Sequence, residues 1–210
     1  MWIPERIGAV ARCRARPKMS QILCIASRHI ASARLGVLDV GAGTGRVTLM
    51  SLLESRVGVH AVEPARAMRA PLMTRLASLP AELRERVTVH PQTLEEAELR
   101  DVADVAICHN TIACLAPAER RALWPALAQA LVPGGSLLLQ LPPAHLPDDE
   151  TERDFPLREH TETFWMWPAS RAAMISDLAE HGFALLPGGA DPAVLAMTLT
   201  LRDSSPEQYE

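Results

Sequence analysis

The sequence has 210 residues, of which 48% are hydrophobic and 22% charged, and its formal net charge at pH 7 is −4. A chain of this length is expected to form one domain that buries roughly 70% of its unfolded surface, so its stability requires no metal or disulfide. The mild negative charge offers no broad positive field to phosphates, so we expect no nucleic-acid partner. No apolar run approaches the ~20 residues that cross a bilayer, so no membrane partner is expected either.

The cysteines Cys13, Cys24, Cys108 and Cys114 form no C-x-x-C pair and have no histidine at zinc spacing. This pattern predicts reduced thiols in a cytoplasmic protein and no metal site.

Residues 1–19 carry five basic side chains against one acidic side chain. Three interpretations are open for this segment: a flexible tail, a lid that orders over a ligand, or a nucleic-acid arm. A flexible tail is favoured, because Pro4 and Pro17 interrupt any helix there. Beyond it, apolar residues at helical spacing predict a first helix over residues 20–33.

An apolar run that breaks into alternating glycines follows, with the sequence V-L-D-V-G-A-G-T-G-R-V over residues 37–47. Its composition predicts a buried strand over Val37–Val40, a tight turn, and then a helix with apolar residues at helical spacing. Glycines in the turn permit backbone conformations and a close approach that a Cβ would block. A ligand can therefore lie against this backbone, near the positive end of the following helix.

Two further strands are predicted at residues 57–63 and 86–90. Between them, Pro64 suits the first turn of a helix whose apolar residues include Leu72 and Leu76. Pro71 lies inside this pattern, so we expect it to kink the helix or to split it in two.

The second half of the chain repeats the alternation of strand and helix. Residues 104–110 read as a fourth strand and the loop after it, residues 117–131 as a helix with an internal proline, and residues 136–141 as a fifth, almost wholly apolar strand. Residues 142–168 are expected to form a loop, with a short strand at Phe164–Pro168. A last helix at 169–181 that stops at Gly182 and an antiparallel pair at 183–186 and 194–201 complete the pattern. Residues 202–210 read as a flexible tail.

The stretch L-D-V-G-A-G-T-G at residues 38–45 resembles the first motif of the class I S-adenosylmethionine-dependent methyltransferases. It differs from the dinucleotide fingerprint G-x-G-x-x-G, because the third glycine comes one residue early and Arg46 stands where that glycine would be. The resemblance continues in the acid Glu63, about 20 residues beyond the glycines, in the strand that leads to His109, and in the L-x-P-G-G turn at residues 131–135. It covers residues 35–141.

The resemblance implies a Rossmann-like, doubly wound, mostly parallel seven-stranded sheet with an antiparallel C-terminal edge hairpin. It makes residues 20–201 one methyltransferase domain, with a cofactor-binding core at 35–141 and an acceptor-side loop at 142–168. The implied cofactor is S-adenosyl-L-methionine, with S-adenosyl-L-homocysteine as product. The residues expected to bind it are Asp39, Gly41, Ala42, Gly43, Gly45, Glu63, Pro64, Thr93, Leu94, His109 and Asn110.

Individual roles follow from the same resemblance. Glu63 is expected to take both ribose hydroxyls, and the Asp39 carboxylate, pointing toward the turn, suits a cationic or amine-bearing ligand. Thr93 stands where the family commonly has an acid that accepts a hydrogen bond from the adenine amine, so adenine contacts are expected from its hydroxyl and from the backbone N–H of Leu94. Glu95 is an alternative to Thr93 or a solvated acid at a helix start.

On the acceptor side, His109 is the candidate general base, and the alternative is that it only shapes the pocket. Trp165, Trp167 and His145 are candidate substrate contacts. Residues 110–113 read N-T-I-A, where methyltransferases of planar amides and adenine amines have an [N/D/S]-P-P-[Y/F/W] turn. Such planar acceptors are therefore disfavoured.

These observations favour methyl transfer to O or N of a small-molecule biosynthetic acceptor by a monomer or homodimer. Methylation of a peptide or protein amine is an alternative, since the acidic run at 148–154 could attract a cation. A third interpretation is a non-catalytic, methyltransferase-like binding subunit.

Overall fold

The computed structural model describes residues 21–141, 151–157, 160–167, 170–187 and 193–200, and only the backbone of the two segments between 151 and 166. The expectations for residues 1–19, for His145 and for residues 202–210 lie outside this part of the chain. The helices are α1 (Gln21–Ser32), α2 (Arg46–Glu54), α3 (Arg66–Ala77), α4 (Ala81–Arg84), α5 (Leu94–Ala97), α6 (Pro117–Ala130) and α7 (Arg171–Ala179). The strands are β1 (Gly36–Val40), β2 (Gly58–Val62), β3 (Val87–His90), β4 (Ala103–Cys108), β5 (Leu131–Gln140), β6 (Thr151–Leu157), β7 (His160–Met166), β8 (Phe183–Leu185) and β9 (Val194–Leu199).

Seven of these strands form one sheet in the order β3-β2-β1-β4-β5-β9-β8. The strands β1 to β5 pair in parallel, whereas β9 is antiparallel to both β5 and β8. This arrangement confirms the predicted Rossmann-like sheet with an antiparallel C-terminal edge hairpin.

Helices cover both faces of the sheet, because its central strands are apolar on both sides. Leu38 of β1 and Leu139 of β5 pack in one core with the buried side chains of α6 and α7. Val37 and Leu138, their neighbours in sequence, pack in the opposite core with α1, α2 and α3. The period of two along each strand therefore produces a three-layer α/β/α structure.

The chain order reverses between β1 and β4, since β1 continues to β2 on one side of the sheet and β4 lies on the other. In open α/β sheets, ligands bind outside the carboxyl ends of the strands at such a switch point. The residues that follow β1, β2, β3 and β4 all lie at this edge.

The predicted split at Pro71 is wrong, because α3 runs unbroken from Arg66 to Ala77. A proline inside a helix removes one hydrogen bond. Leu72 and Leu76, which follow it, are 0% and 4% exposed, so core packing on both turns offsets that loss.

The segment predicted as a loop at 142–168 contains the antiparallel β6–β7 hairpin, whose register runs from Thr151 opposite Met166 to Leu157 opposite His160. The strand expected at Phe164–Pro168 is the end of β7. The acidic residues and Pro156 concealed β6, because these residue types are depleted in strands, and pairing of the two backbones makes the hairpin.

The L-x-P-G-G turn is a bulge at the start of β5 rather than a separate loop before it. Between the pairs Ala103–Leu131 and Val105–Ser136, β4 advances two residues and β5 advances five. The extra residues include the exposed Pro133 and Gly134.

The thiols of Cys108 and Cys114 are free. Cys24 is disulfide-bonded, so the expectation of reduced thiols is wrong at this position.

Candidate cofactor and acceptor site

A cavity of about 720 Å³ lies at the carboxyl ends of β1 to β4. Its walls come from the loops after these four strands, from the 3₁₀ turn Ile112–Cys114 and from the first turns of α6. Ligand sites typically have volumes of ~300–1,000 Å³, so the cavity is large enough for a nucleoside-sized molecule and part of an acceptor.

Ten of the eleven predicted cofactor residues line this cavity: Asp39, Gly41, Ala42, Gly43, Glu63, Pro64, Thr93, Leu94, His109 and Asn110. Gly45 is outside the lining. It precedes α2 with φ +91°, and a Cβ at this position would overlap the Leu72 side chain, so its role is to let α2 pack against α3.

The glycine turn is tied to the neighbouring strand. The backbone N–H groups of Gly41 and Ala42 both donate to the Val62 carbonyl, at 2.9 and 3.0 Å. Gly41 has φ +70°, and a Cβ there would overlap the side chain of Thr111, whose hydroxyl donates to the Val40 carbonyl at 2.9 Å. The turn thus packs too closely against the loop after β4 for any residue but glycine.

Glu63 follows β2 and is only 6% exposed. Its Oε2 accepts from the Gly43 N–H at 2.7 Å, and its Oε1 accepts from the Ala65 N–H at 2.9 Å. These two bonds fix the carboxylate at the cavity wall. Because each carboxylate oxygen has a second lone pair, both oxygens can still accept a bond from a ligand hydroxyl.

Asp39 is 1% exposed and accepts a 2.6 Å hydrogen bond from the Thr48 hydroxyl of α2. Burial raises its pKa to about 7, although the hydrogen bonds from Thr48 act in the opposite direction, and the nearby Glu63 adds to the rise. A cation in the cavity would favour the ionised carboxylate. Asp39 thus lines the cavity, while its carboxylate anchors α2 through Thr48.

Thr93 caps the short helix α5. Its hydroxyl accepts from the Glu96 N–H at 3.4 Å, and its own N–H donates to the Glu96 carboxylate at 3.1 Å. The sequence predicts that this hydroxyl contacts adenine, but in the structure it already accepts a hydrogen bond within the capping box. Glu95, the next residue but one, lines the same wall and has no such bond to the described residues.

His109 and Asn110 follow β4, and Asn110 has the left-handed φ of +59°. The Nε2 atom of His109 is buried and has no hydrogen-bond partner among the described residues. Burial, and then the nearby guanidinium of Arg46, lower the His109 pKa below its usual 6.5. The imidazole is therefore neutral at physiological pH and can accept a proton.

The residues predicted to contact the acceptor are not among the described residues that line the cavity. The Trp167 N–H donates to the Ala113 carbonyl at 2.8 Å, and its carbonyl accepts from Arg120 at 2.7 Å, but Trp167 is not in the cavity lining. Trp165 lies in β7, where the structure describes only the backbone, and His145 lies outside the described residues.

Sequence reasoning missed part of the lining. It assigned no site role to Arg46, Met68, Thr111, Cys114, Leu115, Glu119, Ala122 or Leu123. The spacing of Glu119, Ala122 and Leu123 on one face of α6 could have indicated the wall, because that helix starts directly after the loop that carries His109.

Residues 38–137 match a protein-family model described as a methyltransferase domain. No curated protein sequence matches the chain at a significant level. Solved structures match along most of its length at low identity.

CalS10, an amino pentose methyltransferase from Micromonospora echinaspora, is 20% identical, with a TM-score of 0.65 over 95% of this chain and 99% of its own. The CcbJ methyltransferase from Streptomyces caelestis is 20% identical, with a TM-score of 0.66 over 83% of this chain and 95% of its own. The glycopeptide N-methyltransferase MtfA, complexed with S-adenosyl-L-methionine, is 21% identical, with a TM-score of 0.62 over 84% of this chain and 93% of its own.

At these identities the structural likeness establishes the fold. The family model covers the glycine turn, the acid after β2 and the strand that carries His109, which are the features that form the cavity. Residues 38–137, which carry these features, are therefore similar to a methyltransferase domain, and the fold of the chain is that of the methyltransferase structures.

Proposed function

We propose that this protein transfers a methyl group from S-adenosyl-L-methionine to an oxygen or nitrogen atom of a small-molecule biosynthetic acceptor. The observation that carries the proposal is the fixed Glu63 carboxylate beside the glycine turn, in one cavity with His109, whose buried Nε2 has no hydrogen-bond partner among the residues that the structure describes.

The strand order β3-β2-β1-β4 supports an order of contacts along the cavity. The loop after β3 offers Leu94 and Glu95 to the adenine, and Glu63 after β2 offers both carboxylate oxygens to the ribose hydroxyls. The glycine turn after β1 accommodates the methionyl part. His109 after β4 then borders the position of the methyl group, and the residues of α6 form the acceptor side.

S-adenosyl-L-methionine supplies an electrophilic methyl group, so the protein must mainly align the acceptor atom and exclude water. Such positioning can be worth ~7–11 kcal/mol. A neutral His109 can take the proton of a hydroxyl or ammonium acceptor, which is a further contribution of ~10²–10⁴ in rate.

The acceptor class rests on two kinds of support. CalS10 and CcbJ, two similar structures, are methyltransferases, and CalS10 is involved in calicheamicin biosynthesis. In the cavity itself, Glu119 lies on the α6 side and provides an acid that suits an amine acceptor. A peptide amine is the second candidate, because the same acid would attract it equally.

The test is methyl transfer from labelled S-adenosyl-L-methionine to a panel of amino sugars, hydroxylated small molecules and peptide amines, with mass spectrometry of the products. Transfer to a small molecule supports the proposal, and transfer only to peptides favours the second candidate. Binding of the cofactor without transfer to any member of the panel would contradict the proposal and favour a non-catalytic binding role.

A further inference from the structure

Arg46 is the first residue of α2, and its exposed side chain lines the cavity next to the glycine turn. It makes no hydrogen bond or ion pair with any residue that the structure describes. Other arginines near the site are engaged: Arg69 donates to the Glu63 carbonyl at 2.7 Å, and Arg75 donates to the Thr44 carbonyl at 2.9 Å. The guanidinium of Arg46 is thus available to a ligand.

The charges around Arg46 are unequal. Asp39, Glu63, Glu95 and Glu119 all line the cavity, and among the described lining residues Arg46 is the only lysine or arginine. A carboxylate that enters the cavity meets acids on most walls and one cation. Because an anion is costly to desolvate beside other anions, Arg46 is the favourable place for it.

We propose that Arg46 binds the methionyl carboxylate of the cofactor. This inference rests on the proposed function, since it requires S-adenosyl-L-methionine in the cavity. It follows from the order of contacts proposed above, in which adenine and ribose lie beyond β3 and β2, so that the methionyl part lies beyond β1, where Arg46 adjoins the glycine turn. An arginine matches a carboxylate in both charge and planar geometry.

The arrangement connects cofactor binding to His109. Burial and the charge of Arg46 both keep the pKa of His109 low. A carboxylate on Arg46 would offset the positive charge of this guanidinium, which is one of the two causes of the low pKa.

The experiment compares two ligands by isothermal titration: S-adenosyl-L-homocysteine and its decarboxylated analogue, which keeps the adenosine, the sulfur and the amine. The variants are Arg46→Gln, Arg46→Lys and the matched control Arg66→Gln. Arg66 also begins a helix, is also exposed and has no partner among the described residues, but it is outside the cavity lining.

We expect Arg46→Gln to lower the affinity for S-adenosyl-L-homocysteine by about 10- to 100-fold, the usual value of a charged hydrogen bond. The affinity for the decarboxylated analogue should change by no more than about twofold. Arg46→Lys should retain part of the affinity that Arg46→Gln loses, and Arg66→Gln should leave the affinity for both ligands unchanged. Equal effects of Arg46→Gln on the two ligands, or no effect on either, would overturn the assignment. If the wild-type protein binds neither ligand, the proposed function itself fails, and this outcome is distinct.

A second readout does not depend on affinity. In the ligand-free protein, Arg46→Gln should raise the pKa of His109, measured by NMR titration of its ring protons, whereas Arg66→Gln should not. An unchanged pKa would show that Arg46 does not reach the position that the assignment requires.

Discussion

The carboxylate of Glu63 and the backbone N–H of Gly43 are joined by a 2.7 Å hydrogen bond across 20 residues of sequence. The bond fixes the end of β2 against the turn after β1, and the same carboxylate accepts from Ala65 on its other oxygen. Glu63 therefore shapes the turn even before a ligand is present, and its proposed ribose contacts come from a group that is already oriented.

Replacement of Glu63 should weaken binding of the cofactor. Glu63→Gln keeps the size but places an amide N–H₂ against one of the two N–H donors, and Glu63→Ala removes both acceptors. We expect each variant to bind S-adenosyl-L-homocysteine about 10- to 100-fold more weakly by isothermal titration, from the loss of charged hydrogen bonds. The exposed acid Glu54, at the end of α2, gives the control Glu54→Gln, which should bind normally. Unchanged affinity in both Glu63 variants would exclude the ribose role.

The glycine turn allows a similar comparison. Gly41 and Gly134 have similar positive φ values, +70° and +82°, but a Cβ at Gly41 would overlap Thr111, whereas a Cβ at Gly134 would meet nothing within 4 Å. Both alanine variants incur the backbone strain, about 1 kcal/mol. Only Gly41→Ala adds a steric overlap.

We therefore expect urea unfolding to show that Gly41→Ala loses at least ~1 kcal/mol more stability than Gly134→Ala, since overpacking commonly costs ~1–3 kcal/mol. Cofactor binding should be lost with it. Equal losses for the two variants would mean that the turn can move away from Thr111.

Local patterns predict the parts of the site that one short stretch of sequence determines. The strand, glycines and helix of residues 37–47 form one unit, so the turn and its position at the sheet edge follow from composition. Glu63 can be found because it directly follows a strand. In both cases the backbone geometry and the chemistry are encoded within a few residues.

The parts that escape prediction depend on tertiary packing. The spacing of Glu119 with Ala122 and Leu123 indicates a shared helix face but not that this face borders a cavity, because an acid in the first turn of a helix is ordinarily solvated or part of a cap. Glu119 does cap α6, since it accepts a hydrogen bond from the Ala116 N–H at 2.7 Å. The β6 strand is defined by its pairing with β7 and is poor in strand-forming residues. Likewise Pro71 alone favours a break in α3, but the packing of Leu72 and Leu76 keeps the helix intact.

Asp39 should make stability depend on pH. Its pKa is about 7 in the folded protein, against an ordinary value of 3.8 in an unfolded chain, so the folded state holds a proton that the unfolded state releases. Stability from this group is therefore lost as the pH rises from about 4 to 7. Between pH 5 and 7.5 the loss amounts to about 2–3 kcal/mol.

Asp39→Asn cannot titrate and can still accept the bond from Thr48, so its free energy of unfolding should lack this decrease. The measurement is urea unfolding of both proteins at pH 5 and pH 7.5. The difference in free energy of unfolding between the two proteins at each pH removes the contributions of the other titrating groups, which both proteins share. A parallel pH dependence in the two proteins would show that Asp39 has an ordinary pKa.

Arg120 connects the β6–β7 hairpin to the wall of the cavity. It is 6% exposed and donates to the Leu115 carbonyl at 2.9 Å and to the Trp167 carbonyl at 2.7 Å. We expect Arg120→Met to increase amide hydrogen exchange over residues 160–167 by about 10-fold or more, because the end of β7 loses a charged hydrogen bond.

The matched control is Arg171→Met, which removes a comparable bond from arginine to the Val194 carbonyl on β9. It should leave exchange in the hairpin unchanged. If both variants affect residues 160–167 equally, Arg120 has no specific role in holding the hairpin.

His109 is tested through the pH dependence of turnover, once an acceptor is known from the panel. Since its pKa is below 6.5, the rate of the wild-type protein should fall only as the pH drops below that value, where the imidazole becomes protonated. His109→Ala should lower kcat by about 10²–10⁴ and remove this acidic limb. His181→Ala, at a site away from the cavity, is the control. Full turnover of His109→Ala between pH 6 and 9 would exclude a general base at this position.

The central claim is that the cavity at the ends of β1 to β4 binds the cofactor of a methyltransferase. Isothermal titration of the purified protein with S-adenosyl-L-methionine, S-adenosyl-L-homocysteine and NADH tests it most directly. We expect micromolar binding of both sulfur compounds and no binding of NADH. Absence of binding by both sulfur compounds, or a preference for NADH, would contradict the claim.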